Sequence, residues 1–162
     1  MPATPEPSRR PAIAESDDTV AVVINPVSGG AGAGPVVRGI LDRVRRAGYT
    51  PISYRTEGPN DVARFLRGLP CRPRAVLACG GDGTIREVVE ALIDDPIPVL
   101  PVPTGTENIV AKDFRIRLNP DMLVRTLVDG IAQPLDVASV NGRRFLDRKS
   151  TRLNSSHGKL TR

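Results

Sequence analysis

Five consecutive apolar residues, Val20-Ala21-Val22-Val23-Ile24, run directly into Asn25 to Gly34, where four of ten residues are glycine. An unbroken apolar run of this length marks a strand covered on both faces. Glycines just after it let the backbone turn sharply and come close to whatever lies beyond the strand end. Pro35 suits the first turn of a helix, where its missing N–H is not needed. Val37, Ile40, Leu41 and Val44 then supply one helical face, and Gly48 the stop. A chain that opens this way must cover both sides of a sheet.

The same alternation recurs downstream. Pro51 to Thr56 reads as a strand, and Asn60 or Asp61 caps a helix carrying Val62, Phe65, Leu66 and Leu69. Ala75 to Cys79 is a third strand with Gly80-Gly81-Asp82-Gly83 as its exit loop. Thr84 and Glu87 have capping-box spacing ahead of Ile85, Val88, Val89 and Leu92. Ile97 to Val102 is a fourth strand, and Thr104 with Glu107 repeats the box before a helix to about Phe114. Asn119-Pro120 opens a helix with Leu123 and Leu127. Leu135 to Val140 and Arg143 to Leu146 flank Asn141-Gly142, a two-residue hairpin signal. The expected class is α/β, a parallel-sheet lobe with helices on both faces. Ligands of such sheets lie beyond the C-terminal strand ends. Three Gly- and Thr-rich loops meet that edge: Asn25 to Gly34, Gly80 to Thr84 and Pro103 to Asn108.

The whole chain of 162 residues carries a net charge of +5, which invites a nucleic-acid or membrane-surface reading. The charge is unevenly placed. Residues 1–146 have 18 basic against 17 acidic side chains, whereas residues 147–162 have five against one, together with the single histidine, His157. Aromatic residues make up 3% of the chain, too few for base-stacking platforms, so nucleic acid is excluded as a partner. Cys71 and Cys79 form no disulfide framework, and with no secretory h-region the expected setting is cytoplasmic. Cys79, ending an apolar run, reads as a core thiol. Met1 to Asp18, rich in Pro, Ala and charge, is expected to be a disordered leader. From Asp147 the composition changes abruptly, and Asp147 to His157 resembles the in-frame translation of a sequencing adapter. The native lobe is accordingly expected over residues 19–146, interrupted mid-strand near Leu146.

Known phosphate cradles fail on identifiable residues. Gly29 and Gly34 have P-loop spacing, but Pro35-Val36 stands where Lys and Ser or Thr are needed. Gly30 and Gly32 begin a dinucleotide fingerprint that Pro35 ends. What remains is a strand, Asn25-Pro26-Val27-Ser28-Gly29 and a helix N-terminus, whose N–H groups suit an anion. Gly80-Gly81-Asp82-Gly83-Thr84 is the sharper feature. An aspartate beside phosphates makes sense where Mg²⁺ bridges them or a hydroxyl loses its proton. Its alternative role is to cap a helix or turn.

Asn25-Pro26-Val27-Ser28-Gly29, Gly80-Gly81-Asp82-Gly83-Thr84 and Pro103-Thr104-Gly105-Thr106-Glu107-Asn108 resemble, in order and spacing, the motifs of the diacylglycerol kinase catalytic domain family. That family also includes sphingosine kinases and bacterial lipid kinases, and the resemblance covers about residues 20 to 146. The Gly-Gly-Asp-Gly-Thr block alone is shared with NAD kinases. Glu107 departs from the small residue many members carry.

The resemblance implies that ATP is contacted by Asn25, Pro26, Val27, Ser28 and Gly29, by Thr56, by Gly81, Asp82, Gly83, Thr84, Ile85, Arg86 and Glu87, and by Thr106. It implies that Asp82 acts catalytically at the phosphate and Mg²⁺ end. The family's carboxylate base, further metal-linked acids and lipid pocket lie in a second, β-rich lobe that nothing after Leu146 supplies. The implied partners are ATP, Mg²⁺ and a lipid alcohol such as diacylglycerol at the inner membrane surface, with this fragment inactive alone. Rival readings are an NAD kinase-like phosphotransferase and a nucleotide-binding module without catalysis.

Overall fold

The computed structural model describes residues 15–58, 60–135, 137–140 and 143–146. In chain order the elements are β1 (Glu15–Ile24), α1 (Gly30–Arg46), β2 (Thr50–Arg55), α2 (Asp61–Arg67), β3 (Arg72–Gly80), α3 (Asp82–Ala91) and β4 (Val99–Pro103). They are followed by α4 (Ile109–Asp113), α5 (Pro120–Asp129), β5 (Val137–Val140) and β6 (Arg143–Leu146). The main sheet has the order β2-β1-β3-β4, and all three pairings are parallel. The α/β class read from the alternation is the class observed. β5 and β6 pair antiparallel in a separate two-stranded sheet, Val137 opposite Leu146. The Asn141-Gly142 turn, residues 1–14 of the expected leader and the tail from Asp147 lie outside the described residues.

β1 explains why its sequence is apolar without a break. Successive side chains of a strand point to opposite faces. Val20 and Val22 pack with Val37, Ile40 and Val44 of α1 and Leu123 and Leu127 of α5. Ala21 and Val23 pack on the other face with Val62, Leu69, Ile85, Val88 and Leu92, from α2, α3 and the turns after them. All four β1 residues are fully buried. Each valine contributes on the order of 1.5–3 kcal/mol of transfer free energy, and an acid at any of the four would leave an unpaired charge between two layers. Among the described residues, no helix is long and apolar enough to cross a membrane.

The element boundaries differ from the sequence expectation in ways that matter for the edge. β1 reaches back to Glu15, because Glu15 and Ser16 pair with Arg72 and Pro73 before a register shift ahead of Val20. Residues 15–18, assigned by composition to the leader, therefore extend the strand. α1 begins at Gly30, not Pro35, which sits inside the helix. Gly29 and Gly30 both have positive φ, which lets the chain turn into the helix at once. α3 begins at Asp82 with Gly81 as its cap, and Thr84 is buried in the first turn, not capping. A Cβ on Gly80 would overlap the Thr84 side chain, so this threonine packs onto the strand exit. Asn119 does cap as read: its Oδ1 accepts from the Met122 N–H at 2.9 Å, with Pro120 opening α5.

Candidate functional site

The strand order places a topological switch at the middle of the sheet. The chain passes from β1 to β2 on one side, then crosses back over β1 to β3 and on to β4. A crevice opens outside the carboxyl ends of strands at such a point. The loops leaving β1 and β3 flank it, one entering α1 on one face of the sheet and the other entering α3 on the opposite face.

Backbone bonds fix the strand exits against one another. The Asn25 N–H donates to the Cys79 carbonyl at 2.9 Å, the Thr56 N–H to the Ile24 carbonyl at 2.9 Å, and the Thr104 N–H to the Gly80 carbonyl at 3.3 Å. Asn25 uses both ends of its side-chain amide. Its Oδ1 accepts from the Val27 N–H at 3.1 Å, and its Nδ2 donates to Thr84 Oγ1 at 3.1 Å. One side chain thus shapes the first loop and ties it to the first turn of α3.

The loops then touch through glycine. Gly29 is left-handed, with φ 86°, and a Cβ there would run into the Thr104 carbonyl. A Cβ on Gly105 would strike the Gly81 backbone and Asn108 Oδ1. Side chains at these positions would wedge the three loops apart. The third loop is closed by Asn108, whose Oδ1 accepts from the Gly105 N–H at 3.0 Å and whose Nδ2 donates to the Gly105 carbonyl at 2.7 Å.

Asp82 is committed in a way the spacing did not reveal. Its Oδ2 accepts from the Ile109 N–H at 3.0 Å and its Oδ1 from the Val110 N–H at 2.9 Å. The carboxylate therefore caps α4, the helix after the third loop, not its own. Among the described residues no group of three His, Cys, Asp or Glu side chains could hold a metal. With both Asp82 oxygens already accepting, these residues do not build a divalent-cation site by themselves.

The remaining expected residues divide. Asn25, Pro26 and Ser28 line a cleft of about 420 Å³ on the α1 side of the sheet. Val27 stands at the loop tip with 87% exposure. Thr56 sits at the end of β2, its Oγ1 3.5 Å from the Ile24 carbonyl. Gly83, Arg86, Glu87 and Thr106 are exposed. Ile85 is a core side chain, and its N–H is donated to the Gly81 carbonyl. Sequence reasoning passed over Arg38, Ser53 and Arg55, which also line the cleft. Asp61, read from sequence only as a candidate helix cap, instead accepts at Oδ2 from the Glu57 and Gly58 N–H groups at 2.9 and 2.7 Å, folding the chain just beyond Thr56. The Glu57 N–H, chiefly, holds the Asp61 carboxyl below its ordinary range. Burial raises the Tyr54 phenol, and the neighbouring Asp61 carboxylate adds to it. Burial likewise pushes the Cys79 thiol up to about 12, so it is inert at the cleft floor.

The diacylglycerol kinase catalytic domain profile matches residues 19–140. A diacylglycerol kinase of Bacillus subtilis is 33% identical over 131 residues, which are 78% of this chain and 43% of that protein. A protein of Serratia proteamaculans named "Probable lipid kinase YegS-like" is 36% identical over 128 residues, 75% of this chain and 42% of its own length. A crystal structure of a diacylglycerol kinase from Bacillus anthracis superposes with a TM-score of 0.67 at 22% identity, over 79% of this chain and 45% of that one. The last shows the shared fold, and the chain spans less than half the length of each of these proteins. On the profile match over most of its length, the chain belongs to the diacylglycerol kinase catalytic domain family.

Proposed function

We propose that residues 19–146 are the ATP-binding lobe of a lipid kinase that transfers the γ-phosphoryl group of ATP to the hydroxyl of diacylglycerol or a related lipid alcohol. The observation that carries this reading is the meeting of three loops at the switch point through glycine backbone, with the N-termini of α1 and α3 beside them. Polyphosphate suits such a place, because helix N-termini and free N–H groups favour negative charge and glycines let it approach. In the proposed site Asn25, Pro26, Val27, Ser28 and Gly29 form one wall. Thr56, Gly81 to Glu87 and Thr106 form the rest, with the Ile85 side chain in the core anchoring the first turn of α3. Asp82 holds the Gly-Gly-Asp-Gly-Thr loop to the third loop through the Ile109 and Val110 N–H groups, so it positions the phosphate floor.

In the transfer, the lipid hydroxyl oxygen bonds to the γ-phosphorus as the bond to the β,γ-bridging oxygen breaks, and ADP leaves. The hydroxyl proton passes to a base. We place that base and the acyl pocket in the remainder of such an enzyme; the chain spans 43% of the Bacillus subtilis relative. Dependence on ATP assigns the reaction to the cytoplasmic side, with the acceptor presented at the inner membrane surface.

The test is a calorimetric titration of the chain with ATP and Mg²⁺, with NAD as competitor, beside a radiolabelled phosphate-transfer assay on diacylglycerol in mixed micelles. We expect saturable ATP binding, no competition by NAD and no turnover by the chain alone. A folded chain that binds no ATP, or one that prefers NAD, refutes the reading.

A further inference from the structure

β4 stands at the edge of the main sheet, and the chain leaving it through α4 forms a strap from one face of the sheet to the other. Val110 packs against the core on the α2 and α3 side, Ala111 is fully buried, and Ile116 packs against the core on the α1 and α5 side. These three residues hold the strap down. What it turns outward is of two kinds. Ile109, Phe114 and Leu118 are large apolar side chains left exposed. Lys112, Arg115 and Arg117 are exposed bases interleaved with them. Residues 109–118 hold three bases and one acid, the half-buried Asp113.

The turn that ends α4 is strained at one of those bases. The Arg115 N–H donates to the Lys112 carbonyl at 3.0 Å and the Ile116 N–H to the Ala111 carbonyl at 2.8 Å. This paired closure puts one residue in the left-handed region, and that residue is ordinarily glycine. Here it is Arg115, with φ 56°. The other left-handed non-glycine residues described are Asn60 and Asn108, whose short side chains tolerate the region. Arginine gives up backbone stability that glycine would supply there. Compensation of the α4 dipole does not account for it, because Lys112 already stands in the last turn of this short helix. Strain kept at such a position points to a use for the side chain.

We propose that the outward face of this strap docks on an anionic lipid bilayer. Phe114 and Leu118 enter the headgroup boundary, and Lys112, Arg115 and Arg117 lay their stems along it with their charges on the lipid phosphates. A lipid surface offers negative charge and apolar depth at the same place. A second copy would set the same bases against one another across a two-fold contact. The purpose of the docking rests on the lipid-kinase reading. α4 has five residues, a rise of about 7 Å, so a docked strap brings the third loop close to a hydroxyl that stays at the bilayer surface.

The test sediments the whole chain with vesicles of equal parts phosphatidylglycerol and phosphatidylcholine, and with phosphatidylcholine vesicles as reference. Binding to the mixed vesicles is expected, weakened by added salt. Residues 147–162 carry five further bases, but they are the same in every variant, so differences between variants read the strap. Arg115→Gly and Arg117→Gln should each lower partitioning about fivefold, and Phe114→Ser and Leu118→Ser by about as much. Arg115→Gly should at the same time raise the melting temperature, because it relieves the left-handed strain; a role confined to folding would not divide stability from binding in this way. Arg46→Gln, which removes one exposed base from the last turn of α1, should bind like the parent. The proposal is overturned if the chain leaves both kinds of vesicle unbound, if phosphatidylcholine binds it equally well, if the strap variants partition like the parent, or if Arg46→Gln weakens binding as much as Arg117→Gln. A dimer that Phe114→Ser dissociates, with vesicles left unbound, gives the face to a second copy and also overturns it. ATP titration reads the kinase proposal separately: strap-dependent vesicle binding by a chain that binds no ATP refutes that reading and upholds this one.

Discussion

Replacing Asp82 by Ala removes both acceptors at the start of α4, and the cost can be worked from the geometry. The Val110 N–H is half-buried and bonds to a carboxylate at 2.9 Å. A hydrogen bond to a charged group contributes about 1.5–3 kcal/mol. The Ile109 N–H, at 3.0 Å, is exposed, so water replaces its partner for a few tenths of a kcal/mol. α4 has five residues, far too few to persist without an external tie. The expected loss is therefore about 2–3 kcal/mol, a large part of the ~5–15 kcal/mol typical of a domain. Asp82→Asn keeps one acceptor, and with that oxygen on Val110 the expected loss is about 1 kcal/mol.

Urea unfolding of the three proteins, with amide exchange at Ile109 and Val110, reads this directly. Ala should be least stable, Asn intermediate, and exchange should accelerate first at those two amides. ATP affinity should fall in the same order, because loosening α4 loosens the third loop that Asn108 closes on Gly105. The reasoning is wrong if Asp82→Ala stays within about 0.5 kcal/mol of the parent with exchange at both amides unchanged. In that event the carboxylate is free for the phosphates, and a metal-linked role becomes the better account of it.

Other consequences are simpler to measure. Gly105→Ala should destabilise by about 1–3 kcal/mol and lower ATP affinity, since its Cβ meets the Gly81 backbone; an unchanged melting temperature would contradict the glycine contact. Asp61 has a depressed carboxyl pKa, so its contribution is complete above the ordinary value of 3.8 and fades as pH falls through the lower, folded value. Exchange at Glu57 and Gly58 should accelerate in that acid window in the parent but show no such step in Asp61→Asn. A thiol reagent at pH 8 should modify half-buried Cys71 while sparing Cys79 until the chain unfolds. Equal labelling of the two in the folded state would refute the buried-floor assignment of Cys79.

The fold was legible because its signals are local. Val20 to Val23 alternate between two cores, so the unbroken run declares a central strand before any partner is known. Asn119-Pro120 and Gly48 mark helix ends through their own backbone chemistry. The starts of α1 and α3 were misplaced for a different reason. Pro35 and the Thr84–Glu87 spacing are sound local signals, but they were overruled by tertiary contacts: the left-handed Gly29 and Gly30 turn the chain early, and Thr84 is pressed onto Gly80.

The site shows the same division more sharply. The positions of its three loops follow from strand exits and glycine, and the alternation of strands and helices places them at one sheet edge, where the structure has them. The roles within them depend on partners far along the chain, 59 residues between Asn25 and Thr84 and 27 or 28 between Asp82 and the α4 amides. No spacing rule reports such pairs. Asp82 therefore reads from sequence as an acid waiting for phosphate, and from structure as the tie between two loops. That tie has a functional consequence. If phosphate is received by backbone N–H groups on glycine loops, the site needs those loops held in register more than it needs side chains aimed at the ligand. Asn25 and Asp82 perform that task on the two flanks of α3, so substitutions at either should lower nucleotide affinity together with stability. A side chain that only touched phosphate would lower affinity alone.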